Sequence, residues 1–173
     1  MAYDPDIHHR RSIRWKKYDY SQEGFYFVTI CVTAKDCLFG KIVDHKVFLN
    51  PSGEMIENQF FKLETKYSNI RCDEFVCMPN HIHFILNFKP HLEPDPSVQL
   101  HSLGELIQWF KTMTTNEYIR QVKENSWKPF QGRLWQRNYW ERVIRSEQEL
   151  YFVREYIKNN PEKWESDRLF SVQ

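Results

Sequence analysis

No Cys-x-x-Cys pair occurs in this chain. Its four cysteines, Cys31, Cys37, Cys72 and Cys77, stand apart, and that spacing excludes a zinc knuckle. Long apolar runs are missing as well. The longest, Phe25 to Val32, falls far short of the ~20 residues a membrane helix needs. The N-terminus is polar and charged, without the apolar core of a signal peptide. These absences predict a cytoplasmic protein with no membrane association and free thiols. Repeats and low-complexity tracts are also lacking. Net charge is scarce: 24 Lys and Arg against 23 Asp and Glu leave +1, a total that speaks neither for nor against a nucleic-acid partner.

What is present is a core-forming composition. Hydrophobic residues make up 41% and aromatics 16% of 173 residues, enough for one domain with a sizeable core. The cations are unevenly placed. Residues 8–17 form a basic run without an acid and include Arg10, Arg11, Arg14, Lys16 and Lys17. Residues 1–20 therefore read as a basic arm, and 21–173 as a single domain. A second basic segment, 127–145, interleaves Lys128, Arg133, Arg137, Arg142 and Arg145 with Trp127, Phe130, Trp135, Tyr139 and Trp140. Cations hold phosphates and rings stack on bases, so this mixture suits single-stranded nucleic acid. It suits a solvated face over an aromatic core equally well.

Periodicity gives the elements. Phe25 to Val32 is β-branched and aromatic and reads as a central strand. Phe39 to Leu49 reads as a small hairpin around Asp44-His45. A helix capped by Asn50 or Ser52 runs to about Tyr67, with Met55, Ile56, Phe60 and Leu63 on its apolar face. Glu74 to Cys77 and His81 to Phe88 read as strands. Pro79-Asn80 joins them, and the fixed φ of proline excludes the primed hairpin turns there. Ser102 caps a long helix to about Lys123, with Leu103, Leu106, Ile107, Phe110 and Met113 as its buried stripe. Residues 124–138 read as a loop and Tyr139 to Ile144 as a short strand. Ser146 and Glu149 read as a capping box opening a last helix that Pro161 stops. The fold class is α+β: an antiparallel sheet of four to five strands with two helices on one face, the ferredoxin-like split βαβ pattern, plus a C-terminal helix.

Side chains alternate along a strand. Ile82, Phe84, Leu86 and Phe88 then lie on a core, while His81 and His83 share the other face. Two imidazoles on one rigid face read as two ligands of a metal; such a pair also occurs in ordinary packing. On the last helix, Tyr156 and Asn160 are one turn apart and share a face. They read either as partners of the histidines or as a half-buried tyrosine and a helix-ending asparagine.

Together, Met78-Pro79-Asn80-His81-Ile82-His83, Trp135-Gln136-Arg137 and Tyr156-Ile157-Lys158-Asn159-Asn160-Pro161 resemble the REP-associated tyrosine transposases, within the HUH class of single-strand transposases and nucleases. The resemblance spans most of the chain, from Tyr20 to Trp164. It implies that His81 and His83 bind a divalent metal, that Tyr156 is the nucleophile, and that Asn160 is a third ligand where relatives carry glutamine. Two nitrogens and an amide oxygen suit Mg²⁺ or Mn²⁺. The implied reaction cleaves and rejoins single-stranded DNA beside a hairpin through a 5′-phosphotyrosine. The arm, with Arg133, Trp135, Arg137 and Arg142, would hold that DNA. Each active site would lie within one subunit or be shared in a homodimer. Two other functions fit the same residues: a non-catalytic nucleic-acid-binding module, and a metal-dependent phosphodiesterase that uses water.

Overall fold

The computed structural model describes residues 18–90 and 101–171. The expected arm residues Arg10, Arg11, Arg14, Lys16 and Lys17 lie outside them. Four strands form one antiparallel sheet: β1 (Gly24–Cys31), β4 (Ile70–Met78), β5 (His81–Phe88) and β6 (Trp140–Ile144), in the order β4-β5-β1-β6. Between β1 and β4 come a separate hairpin, β2 (Gly40–Val43) with β3 (Lys46–Leu49), and helix α1 (Pro51–Lys66). Helix α2 (Leu103–Asn125) joins β5 to β6. This is the split βαβ arrangement: each helix links two parallel strands that have a third strand between them.

Alternation along the strands divides the molecule into two cores. Tyr26, Val28 and Ile30 of β1 and Ile82, Phe84, Leu86 and Phe88 of β5 face α1 and α2. Helix α3 (Glu147–Lys158) covers the opposite face, packing Leu150, Val153 and Ile157 against Ile85 and Ile144. Burying those three side chains contributes about 1.5–3 kcal/mol each. It seats α3 on the same face as His81 and His83.

Local chemistry accounts for the element ends. Asn50 caps α1 through Oδ1, which accepts from the Ser52 and Gly53 amides. Ser102 and Glu105 form a reciprocal capping box on α2. Asp44 and His45 both have positive φ, 48° and 62°, as a two-residue primed turn requires. At Pro79-Asn80 no φ is positive. That turn is pinned from outside, by Leu38 and Phe39 amides on the Pro79 carbonyl and the Val32 amide on the Asn80 carbonyl.

Three expectations need correction. Strand β4 begins at Ile70 rather than Glu74, because a bulge between Cys72 and Phe75 breaks the alternation. Met113 is exposed, and the α2 stripe continues instead through Thr114 and Tyr118, which lie four and eight residues beyond Phe110. The α3 capping box is half formed: Ser146 Oγ accepts from the Glu149 amide, but Glu149 Oε2 accepts from Arg145 N. The Glu149 carboxylate also pairs with Arg142, which turns it away from the Ser146 amide.

Candidate active site

The site starts from the register of two strands. His83 stands opposite Thr29, and His81 opposite Cys31. Thr29 is a lone polar side chain between Phe27 and Cys31 on its face of β1, and its Oγ1 lies 2.7 Å from His83 Nδ1. The other histidine is held by its neighbour in sequence. Asn80 Nδ2 points at three acceptors: Leu169 O at 2.8 Å, Ser171 Oγ at 3.0 Å and Lys35 O at 3.1 Å. The amide is therefore oriented with Oδ1 toward His81 Nδ1, 2.8 Å away. That nitrogen must donate, so His81 carries its lone pair on Nε2.

The two Nε2 atoms face each other at 3.1 Å. Burial pushes the His81 imidazole down to about 3, against the raising effect of Asn160, and pushes His83 well down as well, with His81 adding to the shift. Near neutral pH both rings are uncharged, and His81 turns its Nε2 lone pair toward His83 Nε2. When His83 gives its Nδ1–H to Thr29 Oγ1 it turns a second lone pair to the same point, and the two repel unless a cation lies between them; in the other tautomer His83 Nε2–H donates to His81. An octahedral cation with ligands at about 2.1 Å separates adjacent ligands by about 3 Å, which is the spacing of these nitrogens. Each ring also has an oxygen beside its other nitrogen, Asn80 Oδ1 for His81 and Thr29 Oγ1 for His83, an arrangement typical of metal-binding histidines.

Oxygen donors complete the set. Asn160 is buried, and its Oδ1 has no hydrogen-bond partner of ordinary geometry among the described residues, although the side chain lies close enough to His81 and Tyr156 to act on the titration of both. Asp167 comes from the tail after the short 3₁₀ turn Pro161–Ser166. Its Oδ2 lies 4.0 Å from His81 Nε2, and it groups with both histidines as a potential ion-holding cluster. The donors present thus fit a divalent cation: two imidazoles, one amide oxygen and one carboxylate.

Tyr156 stands at the open side of this cluster, 42% exposed. Its hydroxyl is 3.4 Å from His83 Nε2, and its ring meets Phe27 edge-on at 5.9 Å. Burial and the Asp167 charge raise its pKa, while Asn160 and Arg168 oppose them. Tyr151 points to solvent, away from the histidines. Tyr118 is buried and donates to the Lys128 carbonyl.

Helix α3 is tied down at the bulge of β4. Arg154 donates from Nε and Nη2 to the two oxygens of Asp73, at 2.7 and 2.6 Å, and Lys158 pairs with Glu74 at 3.1 Å. The bulge that hid the start of β4 in the sequence is what supplies these carboxylates. Arg154→Met should lower stability by about 1–3 kcal/mol, the usual worth of hydrogen bonds to charged groups. Urea denaturation reads the loss directly.

The expected DNA-contacting residues are divided. Arg133 and Arg137 are exposed. Arg142 is exposed but paired with Glu149. Trp135 is only 4% exposed, and its indole N–H donates to Thr114 Oγ1 at 2.8 Å; it is a core residue with no face open to a base. Tyr139 is buried too, and Trp127 and Phe130 pack against the core. Sequence reasoning gave no role to Thr29, Asn80 or Asp167. A polar residue at an inward position of β1 was the one signal for Thr29, and Asp167 had none.

Among proteins this chain is similar to, one from Haemophilus influenzae strain Rd, of uncharacterized function, is 38% identical over 97% of both chains. Another from the same strain, provisionally named a REP-associated tyrosine transposase, is 25% identical over 84% of this chain and 74% of its own. Among solved structures, that of a REP-associated tyrosine transposase bound to a REP hairpin superposes with a TM-score of 0.58 over 88% of this chain and 74% of that one. Its identity is 18%, so this likeness concerns the fold. The family model described as transposase IS200-like matches residues 41–160, a stretch that holds the histidine pair and ends on Asn160. The chain therefore belongs to the family of IS200-like transposases.

Proposed function

We propose that this protein is a metal-dependent enzyme that cleaves and rejoins single-stranded DNA beside hairpin elements, through a 5′-phosphotyrosine at Tyr156. The observation that carries this reading is the Tyr156 hydroxyl, 3.4 Å from one of two imidazole Nε2 atoms that face each other at 3.1 Å. The hairpin-bound relative supports the hairpin as partner.

His81, His83 and Asn160 would hold Mg²⁺ or Mn²⁺, with Asp167 as a further donor. When bound, the cation supplies positive charge at the non-bridging oxygens of a phosphodiester. Thr29 and Asn80 fix the two rings so that both lone pairs stay turned to that position. Tyr156 Oη attacks phosphorus and the P–O3′ bond breaks. The phenolic proton passes to water, and the departing 3′ oxygen takes one up. The reverse attack, by the 3′ hydroxyl of another strand, frees Tyr156 and rejoins DNA without ATP. Histidines, tyrosine and asparagine all come from one chain, so a site completed within a single subunit is the arrangement this reading adopts.

Covalent capture of a labelled hairpin oligonucleotide with single-stranded tails separates this reading from its rivals. A strand transferase gives a denaturation-resistant protein–DNA adduct. A water-using phosphodiesterase gives cleavage without adduct, and a binding module gives neither. The basic arm enters as a phosphate-binding segment. Neutralising Arg10, Arg11, Arg14, Lys16 and Lys17 should weaken hairpin binding and reduce the slope of log K against log salt by about 0.7–0.9 for each phosphate no longer neutralised. An unchanged slope would take the arm off the DNA.

A further inference from the structure

A groove of about 740 Å³ opens directly beside the nucleophile. Phe27, Arg142, Gln148, Phe152, Tyr156 and Arg168 line it. That volume falls within the roughly 300–1,000 Å³ of small-ligand sites. Two side chains of its wall, Phe152 and Arg168, are exposed. Phe152 sits on α3 one turn before Tyr156 with its ring 60% exposed, although the buried stripe of that helix is Leu150, Val153 and Ile157. Arg168 is exposed and forms no ion pair among the described residues. Arg142, across the groove, is held by Glu149, so Arg168 is the uncommitted cation there.

The tail keeps Arg168 in place without occupying its side chain. Its carbonyl accepts from Lys35 Nζ at 2.9 Å, and Asp167 Oδ1 next to it accepts from Leu169 N at 2.7 Å. One turn of chain thus directs Asp167 to His81 and Arg168 to the groove. Residues 167 and 168 lie beyond the stretch matched by the transposase family model, which ends at 160.

An exposed ring beside an uncommitted guanidinium suits one ligand class well, a nucleotide within a strand. The ring takes the base and the guanidinium takes the phosphate. We propose that this groove seats the first nucleotide on the 3′ side of the cleaved bond, with its base on Phe152 and a backbone phosphate on Arg168. The choice of side follows from the chemistry above, on which the proposal rests. The 3′-side fragment becomes joined to Tyr156 and must be retained until a second strand arrives. A groove built on the same helix as the nucleophile holds that fragment, while the 5′-side fragment is free to leave.

The test measures the rate of adduct formation on a tailed hairpin at sub-saturating DNA. Phe152→Ala and Arg168→Ala should each slow it about 5- to 100-fold, the range set by removing one base stack or one phosphate-bound cation. Arg168→Lys should recover part of the loss, and Arg120→Ala, an exposed cation remote from the site, should change nothing. Mn²⁺ affinity measured without DNA should match wild type in all of them, which a general structural defect would not allow. Removing the base of the first 3′-side nucleotide should slow wild type as much as Phe152→Ala does and add no further loss to that variant. Removing the base on the 5′ side should slow both proteins equally. If wild type forms adduct and Phe152→Ala and Arg168→Ala stay within twofold of it, the groove assignment is wrong while the strand-transfer reading stands. Independent losses from Phe152→Ala and the 3′-side abasic site would likewise overturn the assignment. If wild type forms no adduct on any tailed hairpin, the strand-transfer reading fails and the groove proposal falls with it.

Discussion

Tyr156→Phe should bind a tailed hairpin as tightly as wild type and form no covalent adduct. The substitution removes one oxygen. That oxygen's hydrogen bond to His83 Nε2 is long, 3.4 Å, and its other polar neighbour is the Asn160 side chain. The ring keeps its edge-on packing against Phe27 and its contact with His83. Stability should therefore change by less than about 1 kcal/mol, the net worth of an ordinary hydrogen bond. Among the described residues no other tyrosine hydroxyl meets the histidine pair. Tyr151 is 60% exposed and packs against Phe152 rather than the histidines, and Tyr118 is buried on the far side of the sheet. Tyr151→Phe should form the adduct at the wild-type rate. An adduct in Tyr156→Phe, mapped by peptide sequencing to Tyr151, would overturn the assignment.

His81→Ala and His83→Ala should each abolish metal-dependent cleavage and weaken Mn²⁺ binding by roughly 100-fold or more, as loss of a direct ligand should exceed the 10–100-fold typical of an outer partner, while circular dichroism still reports a folded sheet. The two rings provide the only nitrogen donors of the cluster, and neither can be replaced by a water without losing the fixed direction of its lone pair. Asn80→Ala is the subtler companion. Asn80 supplies no donor to the cluster, but its Oδ1 sets which nitrogen of His81 is protonated. Loss of such an outer partner typically costs about 10–100-fold in metal affinity. Asn80→Asp would keep the acceptor and should recover part of it. Wild-type Mn²⁺ affinity in Asn80→Ala would mean that His81 holds its tautomer by other means. Wild-type cleavage in either histidine variant would contradict the metal site itself.

The parts of this molecule set by local pattern were legible in the sequence. Strand β5 announced itself by alternation, and the same alternation put His81 and His83 on one face. Ser102 with Glu105 announced α2, and the spacing of Tyr156 and Asn160 put both on one helix face; that this face meets the histidines was implied only by the family resemblance. What depended on distant chain was hidden. Asp167 and Arg168 reach the site only because the chain turns back after Pro161, and no periodicity foretells that return. The aromatic residues of 127–145 sit between cations in sequence, which suggested stacking on bases. Whether such a ring is buried depends on its partners, and Trp135 finds one in Thr114 of α2. The bulge at Asp73 and Glu74 hid only the start of β4, which the sequence places at Glu74 and the structure at Ile70. Those carboxylates are the tether for the helix that carries Tyr156.

The central claim is a covalent 5′-phosphotyrosine, and end-labelling tests it most directly. A tailed hairpin oligonucleotide is prepared in two forms, one labelled at its 3′ end and one at its 5′ end. Each is incubated with the protein and Mn²⁺ and resolved under denaturing conditions. The account predicts that the 3′ label migrates with the protein, because the fragment bearing the 5′ phosphate is the one joined to Tyr156. The 5′ label should be released on a fragment ending in a free 3′ hydroxyl. Both labels released as free fragments, or the 5′ label retained on the protein, would contradict it.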